Sequence, residues 1–223
     1  EEDGQFLRRI LRIVVLPHQD ALERIVPEDG CSSQLDQRGN LAAEFPGNHP
    51  GDDTALRAVF SSTTLPIALH CEDQDIITAN ITRYKAQVSN DGSLAKSSSS
   101  KSPDLPLRYH PLIRSEEACY RSSARAVELA MQTGANIHIL HISTARELSL
   151  FQCGDVEDKQ ITAEACIPHL LHTDADYDTL GTAIKCNPAI KTAADRNALR
   201  RAIHDCLIDT VGPDHAPHTL TDK

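Results

Sequence analysis

No apolar run in this sequence approaches the length of a membrane span. The longest early one, Ile10 to Pro17, is broken by Arg12 and falls well short of the roughly 20 residues a bilayer requires. Nor does it have the length or the small-residue cleavage site of a secretory leader, so none is expected. Positive charge is also scarce: 22 Lys and Arg stand against 32 Asp and Glu, a formal net charge of −10. A nucleic acid is therefore excluded as the main partner, because no basic stripe is available to replace the counterions of a polyanion. A small anionic substrate is not excluded, since a local site can be basic on an acidic protein. No Cys-x-x-Cys pair occurs among Cys31, Cys71, Cys119, Cys153, Cys166, Cys186 and Cys206. Their odd number and wide spacing argue against a disulfide framework and for reduced thiols in a cytoplasmic protein.

What is present suits a globular chain. At 40% hydrophobic and 24% charged residues, the composition is neither disordered nor fibrous. The 223 residues suffice for one large domain or two small ones with a real core, but fall below the about 250 of a complete eight-fold β/α barrel.

Residues 1–52 form a poorly assignable N-terminal segment. Gln5 to Val15 reads equally as helix or strand, and Pro17, Pro27, Gly30, Gly39, Pro46, Gly47, Pro50 and Gly51 then punctuate the chain at short intervals; no element is assigned between Gly30 and Gly51. From Asp53 the pattern becomes regular. A short helix over Ala55–Phe60 precedes an apolar strand, Leu65 to Leu69, that ends at His70, and a helix runs from Asp73 to about Tyr84. The Ser-rich stretch 89–106 reads as a flexible loop. A helix over Ser115–Thr133, stopped by Gly134, leads to a strand over Ile137–Ile142, a helix over Ala145–Phe151, a strand over Ile161–Ala165, a helix over Ala193–Cys206 and a strand over Ile208–Val211. Strands alternating with helices imply an α/β fold with parallel pairing.

The polar residues fall at the ends of those strands. His70 ends the first, His141 lies at the end of the second, and Asp214 follows the last. In a parallel barrel the C-terminal strand ends share one rim, so these three can meet around one ion. Two imidazoles and a carboxylate suit a divalent metal such as zinc, which lowers the pKa of bound water toward about 7. Asp214 would then move the proton from the attacking water to the leaving amide nitrogen. A lone histidine in an apolar strand is more often a core residue than a ligand, but two at equivalent strand ends, with an aspartate at a third, reverse that weighting. His138 is expected to face the surrounding helices with no metal role, and His110, His172 and His204 to be surface or loop residues. Cys71, Cys166 and Cys186 read as small buried hydrophobes, with Cys71 pointing away from His70.

Five blocks carry a resemblance: Leu65–Asp73 (LPIALHCED), Tyr109–Tyr120 (YHPLIRSEEACY), Leu140–Arg146 (LHISTAR), Ile184–Lys191 (IKCNPAIK) and Asp214–His218 (DHAPH). Together they resemble the dihydroorotases of the amidohydrolase superfamily over about residues 53–223. The last block alone indicates a cyclic amidohydrolase; those around Arg114, Ser143 and Asn187 point to dihydroorotase rather than hydantoinase or allantoinase. The resemblance implies the later half of a TIM-type (β/α)8 barrel of the metal-dependent hydrolase kind, incomplete in this chain. It implies His70, His141 and Asp214 as ligands of one or two zinc or other divalent ions, Asp214 as the catalytic proton carrier, and Asn187 and His218 as substrate-binding residues. The implied reaction is the reversible closure of N-carbamoyl-aspartate to dihydroorotate in pyrimidine synthesis, with a second copy or aspartate carbamoyltransferase as protein partner. His169 matches a family histidine and takes a structural or site-adjacent role.

The sequence departs from that pattern. It contains no His-x-His, which the family carries on its first strand, and no lysine upstream of His70 to bridge two metals. Pro213 stands before Asp214 where the family usually has Thr, and the chain stops shortly after the last block. The expectation is a fragment or degenerate copy with impaired catalysis, prone to associate through unpaired strand edges. A hydantoinase- or allantoinase-type hydrolase and a non-catalytic scaffold subunit are the alternatives.

Overall fold

A computed structural model of the chain describes residues 43–44, 50–90 and 105–215. Its centre is a sheet of five parallel strands in sequence order: β1 (Ala43–Glu44), β2 (Ile67–His70), β3 (Ile137–Ile139), β4 (Ile161–Cys166) and β5 (Thr210–Gly212). The register aligns Leu69 with Ile139 and Ile139 with Ala163, so one face of the sheet is an apolar row. That face packs against α1 (Pro50–Ser62), α3 (Glu116–Thr133) and α4 (Ala193–His204), through Leu56, Phe60, Leu129, Ala130, Leu199 and Ala202. The alternating residues Ala68, His138 and Thr162 form the row on the opposite face.

The helices start and stop where side chains satisfy their free backbone groups. Asp73 Oδ1 accepts from the amides of Asp75 and Ile76, both at 3.0 Å, and opens α2 (Gln74–Asn90). Ser115 caps α3, and Gly134 ends it at φ 76°, in the left-handed region that glycine enters without a Cβ penalty. Thr192 and Asp195 form a reciprocal capping box at the start of α4.

Several elements differ from expectation. A strand at Ala43–Glu44 pairs with β2 inside a stretch that shows no pattern of its own. The second strand ends at Ile139 rather than Ile142, because His141 adopts φ 40° and leaves the extended conformation. The helix expected over Ala145–Phe151 is only a 3-10 turn, Glu147–Leu150; Phe151 turns extended and buries its ring in the core. Helix α2 runs on to Asn90, and most of the loop expected at 89–106 lies outside the described residues. No described helix is long and apolar enough to cross a membrane.

Candidate active site

His70 and His141 meet. Strand β2 delivers His70 at its C-terminal end, on the face opposite the helices, and its Nδ1 lies 3.0 Å from His141 Nε2, with the rings edge to face at a centroid distance of 4.7 Å. Strand alternation would place His141 with Ile137 and Ile139 on the helix side; its positive φ breaks that alternation. Such a conformation is strained for a residue with a Cβ, and it survives where the surroundings over-determine it. Here Glu164 Oε1 accepts from the His141 amide at 3.4 Å, and the next amide, Ile142, donates to the Glu164 carbonyl at 2.7 Å. Burial, followed by the neighbouring His70, holds the His141 pKa well below the ordinary histidine value. Its ring is therefore neutral, the form that binds metals.

The loop after His141 is fixed from both sides. Buried Glu147 accepts from Ser123 Oγ at 2.7 Å, Thr144 Oγ1 at 2.8 Å and the Thr144 amide at 3.2 Å. Asp195 Oδ1, at the start of α4, accepts from the Ala145 amide at 2.8 Å. Ser143 Oγ lies 3.4 Å from Nζ of buried Lys191, which also donates to the Ala189 carbonyl at 2.9 Å.

Glu72, two residues beyond His70, has no role assigned by motif or spacing. Its Oε2 lies 3.1 Å from His70 Nε2 and also accepts from Arg114 Nη1. Burial opposes charge on this carboxylate, but the bond from His70 and the Arg114 guanidinium outweigh it and lower its pKa.

Asp214 follows β5 with φ 46°, a second left-handed non-glycine residue at the same rim. Burial raises its pKa, while the nearness of His70 works in the opposite direction. Among the described residues, no three His, Cys, Asp or Glu side chains converge closely enough to cage an ion. The two imidazole nitrogens alone do suit a metal. Ligands at about 2.0–2.1 Å from tetrahedral zinc stand about 3.3 Å apart, close to the 3.0 Å between His70 Nδ1 and His141 Nε2. The buried His141 Nδ1, which has no hydrogen-bond partner among the described residues, is left to carry that ring's proton when Nε2 binds.

The remaining expected residues divide. Asn187 is exposed, next to Pro188, whose carbonyl accepts from buried His169 Nε2 at 2.9 Å; His169 thus supports the turn that carries Asn187. His218 lies outside the described residues. His110 is half-buried and donates to the Cys186 carbonyl at 2.8 Å, so it belongs to the packed interior rather than the surface. His204 is exposed, as expected. Buried His138 does not face the helices: its Nδ1 lies 2.8 Å from Thr162 Oγ1 and its Nε2 3.4 Å from Thr210 Oγ1, both on the opposite sheet face. Cys71 and Cys166 are buried and Cys186 partly so, and Cys71 packs in the helix-side core, away from His70.

No family model matches the chain. In sequence it is 35% identical over 160 residues to a dihydroorotase of Anoxybacillus flavithermus, covering 71% of this chain and 33% of that protein. It is 27% identical over 194 residues to a dihydroorotase of Elusimicrobium minutum, covering 86% of this chain and 41% of that protein. The chain thus spans about a third to two-fifths of the length of these curated relatives, and the resemblance carried by the five blocks is borne out over that span. Among solved structures, an L-hydantoinase (dihydropyrimidinase) from Arthrobacter aurescens matches with a TM-score of 0.63 at 22% identity, over 82% of this chain and 39% of that one. A dihydroorotase from Campylobacter jejuni matches at a TM-score of 0.51 and 16% identity, over 79% of this chain and 45% of that one. These likenesses show that the parallel α/β sheet shares its fold with part of those hydantoinase and dihydroorotase structures.

Proposed function

We propose that this chain carries part of the active site of a metal-dependent cyclic amidohydrolase of the dihydroorotase type, acting between N-carbamoyl-aspartate and dihydroorotate. The observation that carries the reading is the approach of His70 Nδ1 to His141 Nε2, 3.0 Å apart at the ends of adjacent parallel strands. In this reading residues 53–223, with the strand Ala43–Glu44 paired to their first strand, belong to the later half of a (β/α)8 barrel, and the protein is cytoplasmic.

His70 and His141 would hold one or two zinc ions or another divalent metal, with Asp214, which does not converge with them in this structure, drawn in from the rim as a further ligand. Bound zinc supplies Lewis acidity, which makes water a usable nucleophile at neutral pH. Asp214, reaching the rim from β5, takes the proton from the attacking water and returns it to the amide nitrogen as the ring opens. Asn187, on its turn beside Pro188, and His218 orient the ring or its carboxylate. A protein partner would be a second copy or aspartate carbamoyltransferase.

The absence of a His-x-His motif from the sequence favours a second reading, a non-catalytic scaffold related to these enzymes. Zinc content per chain after chelator washing and reloading, paired with dihydroorotate hydrolysis, separates the two. Near-stoichiometric zinc and turnover, both lost in His141→Ala, are the expected result for an enzyme. Neither zinc nor turnover would leave the scaffold reading, and turnover of hydantoin or allantoin instead would move the substrate assignment.

A further inference from the structure

We propose that Glu72 is a positioning residue that decides which nitrogen of His70 faces the candidate metal site, with Arg114 holding the Glu72 carboxylate in place. The proposal rests on the reading of His70 and His141 as a ligand pair. The two nitrogens of the His70 ring have different neighbours: Nε2 lies 3.1 Å from Glu72 Oε2, and Nδ1 lies 3.0 Å from His141 Nε2. A neutral imidazole carries one N–H, and a carboxylate can only accept. The proton of His70 therefore sits on Nε2, and Nδ1 turns its lone pair toward His141. An aliphatic side chain at position 72 would leave both tautomers open and the ring free to turn over.

The placement of Glu72 is itself built. The amide of the next residue, Asp73, donates to the Ala118 carbonyl of α3 at 3.0 Å, which clamps the backbone beside Glu72. Arg114 reaches the same carboxylate oxygen as His70 from a turn that α2 holds: Asn80 Nδ2 donates to the Ile113 carbonyl at 3.0 Å, and the Arg114 amide donates to the His110 carbonyl at 3.0 Å. The other oxygen, Oε1, is buried with no hydrogen-bond partner among the described residues. Burying a carboxylate with one oxygen unmatched is unfavourable compared with an apolar side chain in the same space, so the ion pair does not explain itself as a stabilising device. An acceptor that fixes a metal-binding histidine does explain it.

The test uses the full 223-residue chain, labelled with 15N in histidine and washed free of metal, with the His70 signals assigned by their loss in His70→Gln. In the wild type, His70 is expected as the Nε2–H tautomer. Glu72→Leu should convert it to a mixture and weaken zinc binding, measured by chelator competition, by about 10–100-fold. Arg114→Gln should shift both in the same direction by less, and it decides the matter alone if Glu72→Leu fails to fold by circular dichroism. An unchanged His70 tautomer, in Glu72→Leu or, where that variant does not fold, in Arg114→Gln, overturns the proposal even if zinc affinity falls. Wild-type zinc affinity equal to that of His141→Ala would instead remove the ligand pair itself, and the proposal with it.

Discussion

A Cβ on Gly212 would lie 2.5 Å from Glu164 Oε2, so the bare backbone of β5 makes room for the carboxylate that accepts from the His141 amide. Gly212→Ala should push that carboxylate aside. The clash falls on the flexible end of a side chain, and alanine restricts the unfolded chain more than glycine does, so a net stability change of no more than about 1 kcal/mol is expected. The local consequence should be larger: the His141 amide loses its acceptor and exchanges with solvent faster. Native-state hydrogen exchange reads this directly, and an unchanged His141 rate would show that Glu164 does not hold the strained residue in place.

His138 should make the fold sensitive to acid. Burial lowers its pKa from 6.5 to about 4, while its ring bridges Thr162 and Thr210. The unfolded chain takes up a proton as pH falls through 6.5 and the folded chain does not, so stability is lost between about pH 6.5 and pH 4 and is flat below. The contribution is at most roughly 3 kcal/mol. His169, likewise lowered to about 4 by burial, adds a second proton in the same window. Urea midpoints at pH 7.5 and pH 5 should fall steeply for the wild type and less steeply for His138→Gln; equal slopes would mean that His138 is already protonated in the fold.

The divide between what could and could not be read in the sequence tracks the range of the interactions involved. Hydrophobic runs locate β2, β3, β4 and β5 because burial leaves a local pattern, and Asp73, Ser115 and Gly134 mark helix ends because capping acts within a few residues. Ala43–Glu44 leaves no such mark, since two residues acquire strand character only by pairing with Leu69 and His70. The orientation of His138 depends on which sheet face the helices cover, which is decided by the crossovers. His70 and His141 are legible as strand-end histidines, yet the left-handed turn that brings His141 round is fixed by Glu164, 23 residues away. Glu72 is hidden for a similar reason: the spacing of His70 and Glu72 is common, and its second partner, Arg114, lies 42 residues on.

Asp195 joins helix capping to the site. It accepts from Thr192 N at 3.1 Å and Thr192 Oγ1 at 2.6 Å in the capping box, and from the Ala145 amide in the loop beyond His141. Asp195→Ala should lower stability by about 1–2 kcal/mol, combining a lost cap with a part-buried amide left without an acceptor. Asp195→Asn keeps one oxygen acceptor and should recover part of that loss. Urea denaturation of the two variants would contradict this account if both behaved like the wild type.

The ion pair of Lys159 and Asp209 offers a test of a different kind, because both side chains are buried, at 8% and 3% exposure. Asp209 Oδ1 lies 2.7 Å from Lys159 Nζ, and Oδ2 accepts from the Ala163 amide at 2.9 Å, tying the approach to β5 onto β4. Burial raises the Asp209 pKa, against the opposing bonds from Lys159 and Ala163. Lys159→Met removes the compensating charge and should cost about 3–5 kcal/mol at pH 7. Without the lysine the Asp209 pKa rises further, so the uncompensated charge is extinguished by protonation as pH falls, and the gap between Lys159→Met and wild type should narrow toward pH 5. Lys159→Met combined with Asp209→Leu buries no charge and should be less destabilised than Lys159→Met alone. If the double variant were the weaker of the two in urea at pH 7, the Ala163 amide rather than the ion pair would be what Asp209 chiefly serves.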